Sequence, residues 1–532
     1  MKHLARKLLP LAALLALAIP ARATDGIWYN TTTTGTFNWS DAANWYQNAV
    51  PNGVDDTALF AYGGTGTQTI NVGTVTLGGI RITNGIPFFA AGGTITFQSS
   101  TGTATIENTV NGTSFNTSLV FNSATTVDTG YLDSLIFQTS MTGSGVITKV
   151  GLGTLDIGNY SSTNYSGTMV INQGGVWLTP NGTSFVNATV TVNNGGTLTD
   201  GSSYHQNSIN GLTVNEGGIV NLGNTTINGT FDITGGTVKG SAGYGLYAGT
   251  ATTINVHADS VQSVFSAEID TTSALTFNVE RGTTTGSDLN FSSAFKAAST
   301  TGITKTGAGI MQWSATSTTA YTGTTTVKNG TLQVTGLIAS TGATKIIADT
   351  GVNAVLTGTG DGSTTGKING ATTIGGGLGT SIVDAGSTGD GSTTIGTMVF
   401  ATTLAFGTNS TLRFELNSTT KTIDLLKVTG AASLGSGLAL LSGSDLGNSA
   451  LTLGTKFTLL SAASVSGTFQ GLAEGSTFTL GSNLFQISYL NNAVTLTAVA
   501  VPEPSTWVLL GLGSLAVARV ARRKAGGLAA SV

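Results

Sequence analysis

One stretch of this chain is written twice. Ile147 to Leu178 (ITKVGLGTLDIGNYSSTNYSGTMVINQGGVWL) aligns without a gap to Ile303 to Val334 (ITKTGAGIMQWSATSTTAYTGTTTVKNGTLQV). Lys149 matches Lys305, Gly151 and Gly153 match Gly307 and Gly309, Tyr165-Ser166-Gly167 matches Tyr321-Thr322-Gly323, and Gly174 matches Gly330. A shorter rhythm also appears: Ile171-Asn172-Gln173-Gly174-Gly175, Val192-Asn193-Asn194-Gly195-Gly196, Val214-Asn215-Glu216-Gly217-Gly218 and Ile233-Thr234-Gly235-Gly236 follow at spacings of 21, 22 and 19 residues. A period of about 20 residues marks a solenoid, because a single coil cannot bury its own apolar face and is stable only in a stack. Within each copy, alternation such as Thr154-Leu155-Asp156-Ile157 sends every second side chain inward. The sequence therefore predicts an all-β fold, an elongated right-handed parallel β-helix or β-solenoid. Ile171, Val192, Val214 and Ile233 form one inward ladder in it, while Asn193 and Asn215 face outward and are expected to tolerate Asp.

Composition agrees with an ordered β chain. Disorder usually pairs low hydrophobicity with high net charge, whereas here 39% of residues are hydrophobic and 9% charged, among 76 Gly and no Cys. Without Cys, ladders and a narrow core must supply the stability, and thiol catalysis and Cys-based metal sites are excluded. Eight of the 21 Lys and Arg lie in the terminal segments, leaving 13 against 24 acids and a formal charge of −11 between them. That is no footprint for nucleic acid.

Both ends read as membrane addresses. Met1 to Lys7 is basic, Leu8 to Ile19 is apolar, and Ala21-Arg22-Ala23 places small residues at the positions a signal peptidase reads. This predicts a signal peptide handled by the Sec machinery and cut after Ala23. Near the other end come Pro502-Glu503-Pro504, an apolar run from Trp507 to Ala518, and the basic residues Arg519, Arg522, Arg523 and Lys524. Basic residues remain cytoplasmic, so the body is expected across the inner membrane, held for a time by a short C-terminal membrane helix.

The segment Val501 to Gly526 resembles the PEP-CTERM sorting signal of Gram-negative bacteria. The resemblance implies recognition by an exosortase, a membrane transpeptidase-like enzyme that removes the tail and passes the protein to the envelope surface or matrix. The two long copies resemble the autotransporter-associated β-strand repeat, whose pattern is K-x-G-x-G-x-L, Y-x-G and V-x-x-G-x-L; the first has Ile171 and Val176 at the ends of the third element, and the second has Ile310-Met311 where Thr-Leu is usual. The segments Asp424 to Gly430 and Gly467 to Leu496 resemble the β-rich region that joins such repeats to a PEP-CTERM tail. Amphipathic strands closing on a terminal aromatic, the signature of a self-exporting barrel, are not read here.

The expected organisation is a signal peptide at 1–23, an N-terminal β-rich cap at 24–140, a solenoid at 141–340, a C-terminal β-rich region at 341–500, the sorting signal at 501–526 and a tail at 527–532. In the cap, Trp28, Trp39, Asn44, Trp45 and Pro51 form W-x10-W-x4-NW-x5-P. The motif reads first as an aromatic plug over a solenoid end, whose open strand edges need cover, and second as a carbohydrate-binding surface.

Little in the sequence points to catalysis. Glycoside hydrolysis needs two positioned carboxylates, yet the acids are scattered and Asp55-Asp56 is the only adjacent pair. His205 and His257 lack metal-site spacing, and no nucleophile elbow surrounds any Ser. Thr359-Gly360-Asp361-Gly362-Ser363-Thr364-Thr365 recurs at Thr388 to Thr394, but Asp-Gly is first a turn signal and the calcium-binding nonapeptide is not met. No catalytic residue, metal ligand or cofactor is assigned. The expected function is that of a non-enzymatic, exported surface or matrix protein with a role in adhesion or biofilm, its Thr, Asn and Ser surface suited to exopolysaccharide or self-association. The rival reading is a polysaccharide-active β-helix enzyme.

Overall fold

The computed structural model describes residues 23–500 except 62–65, 159–163, 180–183, 202–206, 241–244, 249–251, 271–272, 298, 320 and 387–393. The signal peptide with Ala21, the PEP triplet, the apolar run and its basic cluster lie outside the described residues, as does His205. Among the described residues the chain is nearly all strand, with two short 3-10 turns, Ala42–Asn44 and Tyr46–Asn48, as the only helices. None is long and apolar enough to cross a membrane. The described residues fall into two compact units, one comprising those up to 170 together with 174–176, the other 171–173 and those from 177 onward.

In the first unit the chain deals successive strands to three parallel sheets in rotation. Gly79–Ile82, Ile86–Phe89 and Thr94–Phe97 make one coil, and Thr103–Asn108, Thr113–Phe115 and Ser118–Phe121 make the next. Each strand lies parallel to its counterpart one coil on, as Ile80 beside Ile106 and Phe97 beside Phe121. Stacking begins already at Asp25–Ile27, which pairs with Thr57–Phe60. At several buried positions identical residues meet in register, so apolar columns form: the rings of Phe89 and Phe115 stack with centroids 4.3 Å apart, and Phe137 follows edge-on. Such aromatic pairs add about 0.5–1.5 kcal/mol each beyond the burial of their area.

The second unit uses the same device with strands of its own. Val192 lies beside Val214 and Val214 beside Ile233 in parallel register, all three fully buried. This is the inward ladder expected from the spacing. The adjacent asparagines do not simply face solvent: Asn193 Nδ2 donates to Asn172 Oδ1 at 2.7 Å and Asn215 Nδ2 to Asn193 Oδ1 at 2.6 Å. The expectation that they tolerate Asp is therefore revised, since a carboxylate would remove a donor from an amide ladder. After Ser464–Ser466 the parallel order ends, and Thr477–Leu480, Asn483–Ser488, Ala493–Val499 and Lys456–Ser461 form an antiparallel meander.

The two sequence copies adopt the same local structure. Lys149 and Lys305 are buried, at 0% and 1% exposure, and point their ammonium groups at the corner that follows. Lys149 Nζ donates to the carbonyls of Val150 and Gly151 at 2.7 and 2.8 Å. Lys305 Nζ donates to those of Thr306, Gly307 and Asn329 at 2.9, 2.6 and 2.9 Å. The corner glycines are required, because Gly330 has φ +68° and a Cβ there would stand 2.5 Å from the Gly307 carbonyl. Inside each repeat, then, the lysine satisfies carbonyls that a tight corner leaves without ladder partners.

Lys305→Met keeps the apolar stem and removes all three donors. We expect a loss of about 3 kcal/mol in urea unfolding, since each buried carbonyl left unsatisfied costs about 1–3 kcal/mol and some will find water. Burial also pushes the Lys305 ammonium down to about 7, against an opposing pull from Asp288. Its folded pKa lies below its unfolded value, so the unfolded chain holds the extra proton between them. The burial penalty on Lys305 is then fully present below about pH 7 and is relieved as pH rises towards about 10.4. Wild-type stability relative to Lys305→Met should accordingly increase from pH 7 to pH 9; a flat difference would refute the shift.

Candidate functional site

Several sequence candidates prove to be parts of the scaffold. Trp28, Trp39 and Trp45 are 1, 1 and 2% exposed. Their indole N–H groups donate to Gln68 Oε1, the Pro51 carbonyl and the Trp39 carbonyl at 2.9, 2.9 and 2.7 Å. The rings pack edge to face, with Trp28 and Trp39 centroids 5.0 and 4.8 Å from Trp45. Their faces are committed to one another. A cavity of about 290 Å³ is lined by Asn38, Trp39, Asn52, Asn71 and Val75.

Asp55 and Asp56 face different loops. Asp56 accepts from the backbone N–H of Thr24 and of Asn52, while Asp55 accepts from Ser99 and Ser100. His257 lies between Asp232 and Glu280, 3.3 and 3.5 Å away, and its side chain is 43% exposed. Asp361 closes its own turn, accepting from Ser363 N at 2.9 Å and Thr365 Oγ1 at 2.7 Å. These bonds, led by the Ser363 backbone, hold its carboxyl down at about 2. The second such turn contains residues outside the described set.

A cluster absent from the sequence-level candidates lies in the second unit, where Asp384, Glu415 and Asp424 each turn a carboxylate oxygen to within 4.8 Å of the others. Three features of the chain bring them together. Parallel register sets Asp384, in Thr380–Ala385, beside Arg413, in Ser410–Asn417. Alternation then places Glu415 on the same face as Arg413, because Leu412, Phe414 and Leu416 are buried in the core on the other face. Finally, Ser410–Asn417 folds back through an antiparallel bridge of Leu416 to Ile423, which returns Asp424 to Glu415.

The backbone clamps Asp424. Its Oδ1 accepts from Gly396 N at 2.7 Å, its Oδ2 from Glu415 N at 2.6 Å, and its own N–H donates to the Glu415 carbonyl at 3.0 Å. Arg413 donates to Asp384 Oδ2 through Nε at 2.6 Å and lies 2.5 Å from it through Nη2. Asp384 Oδ1 and Glu415 Oε2 are buried without a donor. Burial pushes Asp384 and Glu415 up to about 7 and Asp424 to about 6; Arg413 opposes the rise at Asp384 and Glu415, Glu415 adds to it at Asp384 and Asp424 to it at Glu415, while hydrogen bonds with Glu415 and the Gly396 N–H oppose it at Asp424. Their exposures are 0, 3 and 1%, so the cluster can hold a small ion or shared protons but offers no face to a polymer substrate.

Sequence spacing missed this cluster because 31 and 9 residues separate its members, a pattern found in no local motif. No curated protein is significantly similar to the chain. Residues 500–524 match the family model of the PEP-CTERM protein-sorting motif, so the chain carries that signal, which implies an exported protein handled by an exosortase and associated with the cell envelope.

Proposed function

We propose that this protein is a non-enzymatic β-solenoid displayed on the surface or in the extracellular matrix of a Gram-negative bacterium, where it contributes to adhesion or biofilm structure. The observation that carries this reading is the sorting motif at residues 500–524 attached to a body of stacked parallel coils. The repeat-copy corners, with Lys149 and Lys305 buried under their glycines, support kinship with the autotransporter-associated β-strand repeat. A right-handed coil is the expected hand for parallel strands joined by crossovers.

The titratable groups described above support a structural role. Asp55, Asp56 and Asp361 are tied to loop backbones, and the three clustered acids are covered. Rows of Thr and Asn along the half-exposed faces offer weak hydrogen bonds to a polysaccharide or to another copy. Deleting the gene of the sorting enzyme should move the protein from the surface and matrix fractions to the inner membrane. The purified body should bind matrix polysaccharide or itself and turn over no glycan. Unchanged localisation, or glycan turnover abolished by Asp55→Asn or His257→Ala, would overturn the reading.

A further inference from the structure

We propose that Asp384, Glu415 and Asp424 form a calcium site that ties the Ser410–Asn417 hairpin to the neighbouring strand of the solenoid. Three observations converge on a cation. First, the three carboxylates converge within 4.8 Å, closer than ionised carboxylates settle without a bound cation or a shared proton. Second, two of their oxygens, Asp384 Oδ1 and Glu415 Oε2, are buried and receive no N–H or O–H, although the side chains that bear them are 1% and 3% exposed or less. Such orphaned acceptors are costly unless a cation or a proton lies between them. Third, the site is preorganised: Asp424 is held by two backbone N–H groups, and Arg413 fixes the far oxygen of Asp384 while leaving Oδ1 free.

The chemistry selects the ion. All donors are hard carboxylate oxygens, with no imidazole or thiolate, which suits calcium, magnesium or manganese. Three carboxylates against one guanidinium leave two negative charges, balanced by one divalent ion. Magnesium requires near-ideal octahedral geometry and keeps several waters, whereas calcium accepts mono- or bidentate carboxylates in irregular arrangements. A buried pocket of three carboxylates at the base of a hairpin therefore fits calcium better. In an exported chain without Cys, such an ion would provide the cross-link that disulfides supply elsewhere.

Equilibrium dialysis of the mature chain against calcium, after removal of metal with a chelator, reads the site directly. Wild type should take up one more ion per chain than Glu415→Gln or Asp384→Asn, and its unfolding midpoint should rise by a few degrees on adding calcium at about 10 mM, above the ~0.1–1 mM range in which extracellular modules bind. Magnesium at the same concentration should give a smaller rise. Asp361→Asn, in an exposed turn, should behave as wild type. Circular dichroism establishes that each variant is folded; should either fail, the stoichiometry and calcium response of wild type alone remain decisive. Uptake equal in wild type and variants, or no calcium response of wild type, overturns the proposal. So does a calcium-independent gain of stability in Glu415→Gln, which would assign the orphaned oxygens to shared protons.

Discussion

Replacing Pro502, Glu503 and Pro504 with alanine should abolish delivery to the surface and leave the precursor in the inner membrane. Prolines fix φ and deny helix hydrogen bonds, so this strip is expected to stay extended beside the membrane, with Glu503 accessible to an enzyme embedded there. The apolar run from Trp507 to Ala518 would span about 18 Å as a helix at ~1.5 Å per residue, against a hydrocarbon core of ~30 Å. Alone it is a poor permanent anchor and suits a temporary one. Arg519, Arg522 and Arg523, with Lys524, are expected on the cytoplasmic side. Intact mass of the surface-extracted protein should therefore end near the Pro-Glu-Pro triplet. A surface form that retains Trp507 to Val532, or normal delivery of the alanine variant, would reduce this segment to a plain anchor.

Val214→Asp should unfold at least the coils around it. Val214 is fully buried between Val192 and Ile233, in a column that offers a carboxylate no donor. The carboxyl must be buried unpaired or be neutralised, at a cost of about 4 kcal/mol or more, comparable with the whole margin of many domains. Because each coil is stabilised by its neighbours, the damage spreads along the stack. Urea denaturation followed by circular dichroism should show a lost or strongly shifted transition, and expression should be largely insoluble. Asn215→Asp provides the contrast. It removes the 2.6 Å donation to Asn193 Oδ1 and sets two acceptors face to face, for a loss of about 1–2 kcal/mol with the fold retained. Equal effects of the two substitutions would contradict the inward column.

Much of the architecture was legible along the chain because a solenoid repeats its physics at short range. Alternation decides which side of a strand is apolar, glycine marks where the backbone must turn with positive φ, and the period says that the strands stack. Val192, Val214 and Ile233 could be named as one column on that basis, and Lys149 could be matched to Lys305, although nothing local revealed that these lysines are buried under carbonyls. The sorting signal was likewise readable, because an enzyme at the membrane reads it as a linear strip. Coil register was not readable to the residue. The offset from Asp384 to its neighbour Arg413 is 29 residues, whereas that from Val192 to Val214 is 22, so loop lengths conceal which polar side chains will meet. The asparagine ladder beside the apolar column, the committed faces of the three N-terminal tryptophans and the convergence of Asp384, Glu415 and Asp424 all depend on that register and on a hairpin folding back. Periodicity carries the fold because each coil obeys the same local rule, while the cluster arises where three differently spaced segments are brought to one point by packing.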